Sequence, residues 1–175
     1  MQITLVRHGA PKVSPRLDPA QWPLSPEGRR AVRGLQDRLQ PHAGLWVASQ
    51  ELKAIETLQC LAGKEREGVL RDARFNEVQR DEPFDDGFRS RRRAWVEGKP
   101  DGRHTGWETP LDAASRFDDA VRAFAERGGP LIIGSHGMII TAWLVHRARI
   151  RPGAEAGRFW AGLAFPDLVE VDLDW

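Results

Sequence analysis

The sequence predicts an α/β protein: a three-layer α/β/α sandwich built on a largely parallel sheet. Three observations predict it. Short segments without charge, rich in apolar residues, recur at 2–6, 45–48 and 131–134, as expected of strands covered on both faces. Helical patterns with one apolar face lie between them. Strands that alternate with helices need crossover connections, and crossovers make neighbouring strands parallel.

Taken in order, residues 2–6 read as a buried strand. Residues 11–24 carry four prolines and read as a loop. Ser25-Pro26-Glu27 starts a helix, with a cap, a proline in the first turn and an acid near the positive end. Val32, Leu35 and Leu39 share its inner face, and Pro41 ends it. Leu45-Trp46-Val47-Ala48 is a second strand, and 51–62 a helix stopped by Gly63. The stretch 76–108 is polar and irregular, a substrate-facing excursion from a single domain spanning 1–175. Thr109-Pro110-Leu111-Asp112 caps another helix, with Ala114, Phe117, Val121 and Phe124 on one face. Gly128-Gly129-Pro130 breaks it before the strand at 131–134 and a helix around 138–147. Val169, Val171 and Leu173 then alternate with Glu170 and Asp172, a half-buried strand over 168–173.

The charge balance excludes whole classes of partner. With 26 basic against 25 acidic residues, the net charge of +1 offers neither nucleic acid nor an anionic membrane an attractive surface. A single cysteine permits no internal disulfide and suits a reducing compartment. No basic segment followed by a long apolar run opens the chain, and no run is long enough to span a bilayer. The expected location is therefore cytoplasmic. His42, His104 and His146 have no partners at metal-ligand spacing and read as structural. The seven tryptophans are assigned mainly to packing.

In parallel sheets ligands bind beyond the carboxyl ends of the strands. Those ends carry Arg7-His8-Gly9, then Ser49 with Lys53 one turn on, then Ser135-His136-Gly137. Such residues suit a phosphoryl group, whose spread negative charge needs fixed cations, backbone N–H donors and a positioned nucleophile. Arg7 can fork onto two phosphate oxygens. Gly9 and Gly137 permit close backbone approach, and helix N-termini behind Ser49 and His136 would add N–H groups. Cationic neighbours should keep His8 neutral and nucleophilic. A leaving alkoxide needs a proton, and Glu77 is the candidate donor, with Glu82 the next choice.

These pieces together resemble the histidine phosphatase superfamily, the phosphoglycerate mutase-like family. The resemblance rests on Leu5-Val6-Arg7-His8-Gly9, Leu24-Ser25-Pro26-Glu27-Gly28 and the run from Ser49 to Thr57. It continues through Phe75-Asn76-Glu77, Glu108-Thr109 ahead of Arg116, and Gly134-Ser135-His136-Gly137, in the family's order. It implies a phosphoglycerate mutase-like fold. It also implies that His8 carries the phosphoryl group, that Arg7 and His136 bind it, that Glu77 donates the proton, and that no metal or organic cofactor takes part. Three departures stand out. Ala10-Pro11 replace the usual Glu-Thr, Ser14 replaces an asparagine, and Lys53 replaces the second phosphate-binding arginine, keeping charge but losing the fork.

The function expected is a phosphomonoesterase acting through a phosphohistidine on a small phosphorylated metabolite. The alternatives are a regulatory phosphate-binding module of the same fold, a phosphohistidine-protein phosphatase and a phosphomutase. A homodimer is the assembly to test. The run Arg89 to Arg93 reads as a wet helix face, with steering of anionic substrates as its alternative. Cys60-Leu61-Ala62-Gly63-Lys64-Glu65-Arg66 matches the loop of cysteine-dependent phosphatases, but Cys60 falls late in a helix among apolar neighbours, where a thiol is inert.

Overall fold

The computed structural model describes residues 1–39, 44–63 and 68–173. Among these residues five strands form one sheet in the order β3-β2-β4-β1-β5, with β1 Gln2–Arg7, β2 Leu45–Ala48, β3 Val69–Arg71, β4 Leu131–Ser135 and β5 Asp167–Asp172. Strands β1 to β4 run parallel, and β5 pairs antiparallel with β1 at the edge. Among the described residues six α-helices cover the sheet: α1 Pro26–Arg33, α2 Leu52–Leu61, α3 Phe88–Val96, α4 Pro110–Ala125, α5 Gly137–His146 and α6 Ala154–Gly162.

The alternation of strand side chains sets the layers. Ile3, Leu5, Val47, Leu131 and Ile133 point to one face and pack with Trp95 of α3, Phe117 of α4, Trp143 of α5 and Trp160 of α6. Val6, Ala48 and Ile132 point to the other and pack with Val32 of α1 and Ile55 and Leu58 of α2. The two apolar clusters sandwich the sheet, as the strand pattern requires. No helix among the described residues is long and apolar enough to cross a membrane.

The caps act as the sequence predicts. The Ser25 side chain accepts the Gly28 N–H, and Thr109 accepts that of Asp112. The first helix is shorter than expected. It stops at Arg33 with Gly34 as its cap, and Gln36–Arg38 continue as a 3-10 turn that still buries Leu39. Pro41 and His42 lie outside the described residues, as do Lys64, Glu65 and Arg66.

The stretch 76–108 is not irregular throughout, because it contains α3. Its arginines hide the helical period, but Arg91, Trp95 and Val96 are buried at spacings of four and one, and the Trp95 indole donates to Glu108 O at 2.8 Å. The short edge strand β3 and helix α6 also lack a strong periodic signal in the sequence.

Candidate active site

Level strand ends create the site. Arg7 pairs in register with Ser135, and Ala48 with Gly134, so β1, β4 and β2 finish side by side. The residues that follow them are His8, His136 and Ser49. The His8 N–H donates to Ser135 O at 3.1 Å, and the Ser49 N–H to Gly134 O at 2.8 Å. Two histidines 128 residues apart thereby bring their rings to a centroid distance of 5.0 Å.

A hydrogen bond assigns the His8 tautomer. His8 Nδ1 lies 2.8 Å from Gly9 O, a group that only accepts, so Nδ1 carries the proton and Nε2 keeps a free lone pair. Burial holds the His8 pKa well below its ordinary value, and His136 and Lys53 depress it further. The lone pair is therefore available at neutral pH. Ser49 Oγ accepts the Glu51 N–H at 3.2 Å and sits 2.8 Å from His136 Nε2. The serine hydroxyl serves either His136 tautomer, because its oxygen keeps a second lone pair for an Nε2–H and its proton can turn to a bare Nε2. Burial also holds His136 well below its ordinary pKa, with Lys53 contributing.

Arg7 is wedged under the site. Its Nη1 donates to Leu163 O at 2.5 Å, and its Cζ sits 3.5 Å from the centroid of the Phe165 ring. A Cβ on Gly137 would stand 3.1 Å from Arg7 Nε, so the start of α5 approaches the guanidinium only because residue 137 has no side chain. Gly9 differs from the expectation: its open face meets the Val32 side chain. Burial draws Arg7 down to about 10, which leaves it a cation at neutral pH. At the site itself, Arg7 Nε and His136 Nδ1 are buried and find no hydrogen-bond partner among the described residues. Such atoms are costly unless water or a ligand satisfies them.

Glu77 reaches the site from the other side. Ser135 Oγ donates to Phe75 O at 2.7 Å, and Arg116 donates to the carbonyls of Arg74, Asn76 and Glu77, which fixes the loop. The Glu77 carboxylate caps α5, accepting the N–H of Ile139 at 3.1 Å and of Met138 at 3.4 Å. The N-terminal donors expected for phosphate are thus partly taken by Glu77. Burial resists ionisation of Glu77, but Arg80, His136 and the Val78 N–H outweigh it, so its carboxyl lies below the usual range.

Lys53 is present, but it is not free. Its Nζ donates to Glu51 Oε2 at 2.5 Å and to Pro19 O at 2.8 Å. Glu51 was not singled out in the sequence, yet it links three predicted site residues: Lys53, the Glu77 N–H at 2.7 Å, and His136 Nε2 at 3.4 Å. The only signal for it is an acid between the end of β2 and Lys53. Both side chains of the pair are buried. Removing one partner of a buried pair is expected to cost about 3 kcal/mol, or roughly 6–12 °C in Tm. Glu51→Gln should therefore melt lower in phosphate-free buffer, and added phosphate should restore more stability to it than to the wild type. Calorimetry with and without phosphate checks this.

Other predicted residues take different roles. Glu82 is buried against Arg80 at 3.1 Å, Arg92 at 2.6 Å and Arg91 at 3.6 Å, so it is a clamped carboxylate and not a proton donor in waiting. The arginine run is accordingly not a uniform wet face: Arg91 and Arg92 turn inward, Arg93 pairs with Glu97, and Arg89 stays exposed. Glu108 forks onto Arg116, a pair that supports the Glu77 loop. Ser14 Oγ accepts the Arg16 N–H within its own loop, and Ala10 O accepts the Ser25 N–H. Cys60 sits near the end of α2, half-buried, with Sγ 4.0 Å from Arg29 O. A phosphate-cradling loop at a strand end is not what surrounds it. Among the described residues no group of three or more His, Cys, Asp or Glu side chains is placed to hold a metal.

Comparison with known proteins agrees with this fold. The profile described as histidine phosphatase superfamily (branch 1) matches residues 3–160. A mycobacterial glucosyl-3-phosphoglycerate phosphatase, solved with VO3, superposes with a TM-score of 0.71 at 20% identity, covering 98% of this chain and 92% of that one. Bacillus stearothermophilus YhfR gives 0.72 at 19% identity, with 99% and 91% covered. Phosphoglycerate mutase from Bacillus anthracis str. Sterne gives 0.70 at 13%, with 97% and 86% covered. At these identities the likeness concerns the fold. No curated protein sequence matches the chain.

Proposed function

The chain belongs to the histidine phosphatase superfamily, and we propose that it is a metal-independent phosphomonoesterase that cleaves a small phosphorylated metabolite through a phosphohistidine on His8. One observation carries the reading: the free Nε2 of a neutral, buried His8 lies beside two buried groups that lack partners, Arg7 Nε and His136 Nδ1. Phosphoryl oxygens accept from Arg7 Nε–H, and from His136 Nδ1 in the tautomer that carries its proton there.

In the first step His8 Nε2 forms a bond to phosphorus as the bond to the bridging oxygen breaks. The leaving oxygen takes the Glu77 proton, while His8 Nδ1–H stays on Gly9 O and steadies the charge that develops on the ring. In the second step water attacks phosphorus, the Glu77 carboxylate takes its proton, and the N–P bond breaks. Arg7 and His136 hold the equatorial oxygens throughout.

Glu77 is ionised in the empty site, so the arriving phosphate must raise its proton affinity, and acid must help. His8 keeps its lone pair as pH falls, because its own pKa is depressed. Activity should accordingly peak on the acid side and fall as pH rises through the range in which Glu77 loses its proton. Hydrolysis of n-propyl phosphate, whose leaving alkoxide needs a proton, read as phosphate released with EDTA present from about pH 4 to about pH 9, is expected to peak below about pH 6. Cys60→Ser should match the wild type. Mass spectrometry of alkali-quenched protein should find an acid-labile phosphoryl group on the His8 peptide. An alkaline optimum, or an adduct elsewhere, would overturn the mechanism.

A second reading, a phosphate-binding module without turnover, is favoured by the Glu51–Lys53 pair, which withdraws one cation from the cradle. Folded protein that binds vanadate yet hydrolyses no ester would support it.

A further inference from the structure

Eight large apolar side chains are exposed among the described residues, and five of them belong to three segments: Val13 and Leu17, Phe84 and Phe88, and Phe165. Exposed apolar surface that gathers in one region marks a contact site. Each of these segments is tied to the site just described. The Phe165 ring is 44% exposed, yet its centroid lies 5.3 Å from the imidazole of His8. The loop carrying Val13 and Leu17 is fastened by the hydrogen bond from Lys53 Nζ to Pro19 O, and by the Trp22 indole donating to the carbonyls of Ser14 and Leu17. Phe84, 68% exposed, stands edge-on to Trp22 at 6.4 Å and so closes toward that loop. Phe88 lies against the guanidinium of Arg92 at 5.0 Å, and Arg92 is close enough for Arg7 and Glu77 to feel its charge.

We propose that the alcohol released from the phosphate is apolar or aromatic, bound by a rim of Phe165, Phe84 and Phe88. The inference rests on the phosphomonoesterase reading and adds the substrate class. The polar alternative has fewer partners. A leaving group with its own carboxylate or second phosphate needs cations beside the first, but Arg80, Arg91 and Arg92 converge on Glu82 and Arg93 is on Glu97, which leaves the exposed Arg89 as the nearby cation for it. A polyhydroxylated group needs donors and acceptors where the rim presents rings. An alkyl or aryl group loses nothing there and removes apolar surface from water on both sides. The same surface could instead meet a macromolecule, but a ring in contact with the nucleophile is reached first by whatever the phosphate is attached to.

The test is a series of n-alkyl phosphates from ethyl to hexyl. Their leaving alcohols are nearly equal in acidity, so a trend in kcat/KM reports binding and not intrinsic reactivity. Full burial is worth about fourfold for each methylene. With a half-open rim, hexyl phosphate is expected to exceed ethyl phosphate by at least about tenfold. Glycerol phosphate should fall below propyl phosphate. In the doubly substituted Phe84→Ser, Phe88→Ser variant the ratio of hexyl to ethyl should drop several-fold. A flat or falling series with turnover that still depends on His8 overturns the proposed substrate class and leaves the phosphomonoesterase reading standing. A rising series that persists unchanged in the variant overturns the rim. Absence of His8-dependent hydrolysis for every ester removes the phosphomonoesterase reading, and this inference with it.

Discussion

Replacing His8 by alanine is expected to lower kcat by at least about a thousandfold and to abolish the phosphorylated form of the protein. The argument is geometric. His8 Nε2 is the lone pair left over once Nδ1–H is committed to Gly9 O, and the ring faces His136 at 5.0 Å. Alanine removes the atom that bonds to phosphorus but leaves Arg7 and His136, so vanadate should still bind. The variant should also respond differently to acid. Neutral, buried His8 takes up its proton less readily than the unfolded chain does, so the unfolded state gains protons first as pH falls below about 6.5. That contribution to stability is present above about 6.5 and is lost on the acid side. Without His8, the decline of Tm with acid should be shallower. Rate and melting measurements on one preparation separate chemistry from folding, and turnover retained in His8→Ala would place the nucleophile elsewhere.

Replacing Arg7 by lysine is expected to reduce kcat/KM by about a hundredfold. Lysine keeps the charge but cannot donate from a rigid fork, and its ammonium has no counterpart to the unpartnered Nε. Arg7 also holds Leu163 O and stacks on Phe165, so some loss of stability should accompany the change. A readout that packing alone would not move is rescue. Guanidinium ion should restore part of the activity of Arg7→Ala and none to the wild type. Failure of both the loss and the rescue would mean that phosphate is held by other groups.

Much of the frame can be read in the sequence. Apolar runs at 2–6, 45–48 and 131–134 mark central strands because a strand covered on both faces tolerates no charge. Parallel pairing then forces the residues just past those runs onto one edge, which is why His8, Ser49 and His136 meet there. Capping at Ser25 and Thr109 is equally local, since a side chain and an N–H three residues apart are all it requires. Helix α3 escaped because the inward turn of Arg91 and Arg92 depends on Glu82, a partner on the preceding loop.

The sequence by itself determined the strand ends, the histidine pair and the arginine beside it, because backbone periodicity and sheet geometry act over a few residues or through a fixed register. Only the tertiary structure decided which charges stay available. Lys53 belongs to Glu51, Glu82 to three arginines, and Glu77 to the N-terminus of a helix that begins 60 residues further along. Ion pairing falls off over a few ångströms and depends on burial, so the choice of partner is made by packing between distant segments, and no spacing along the chain encodes it.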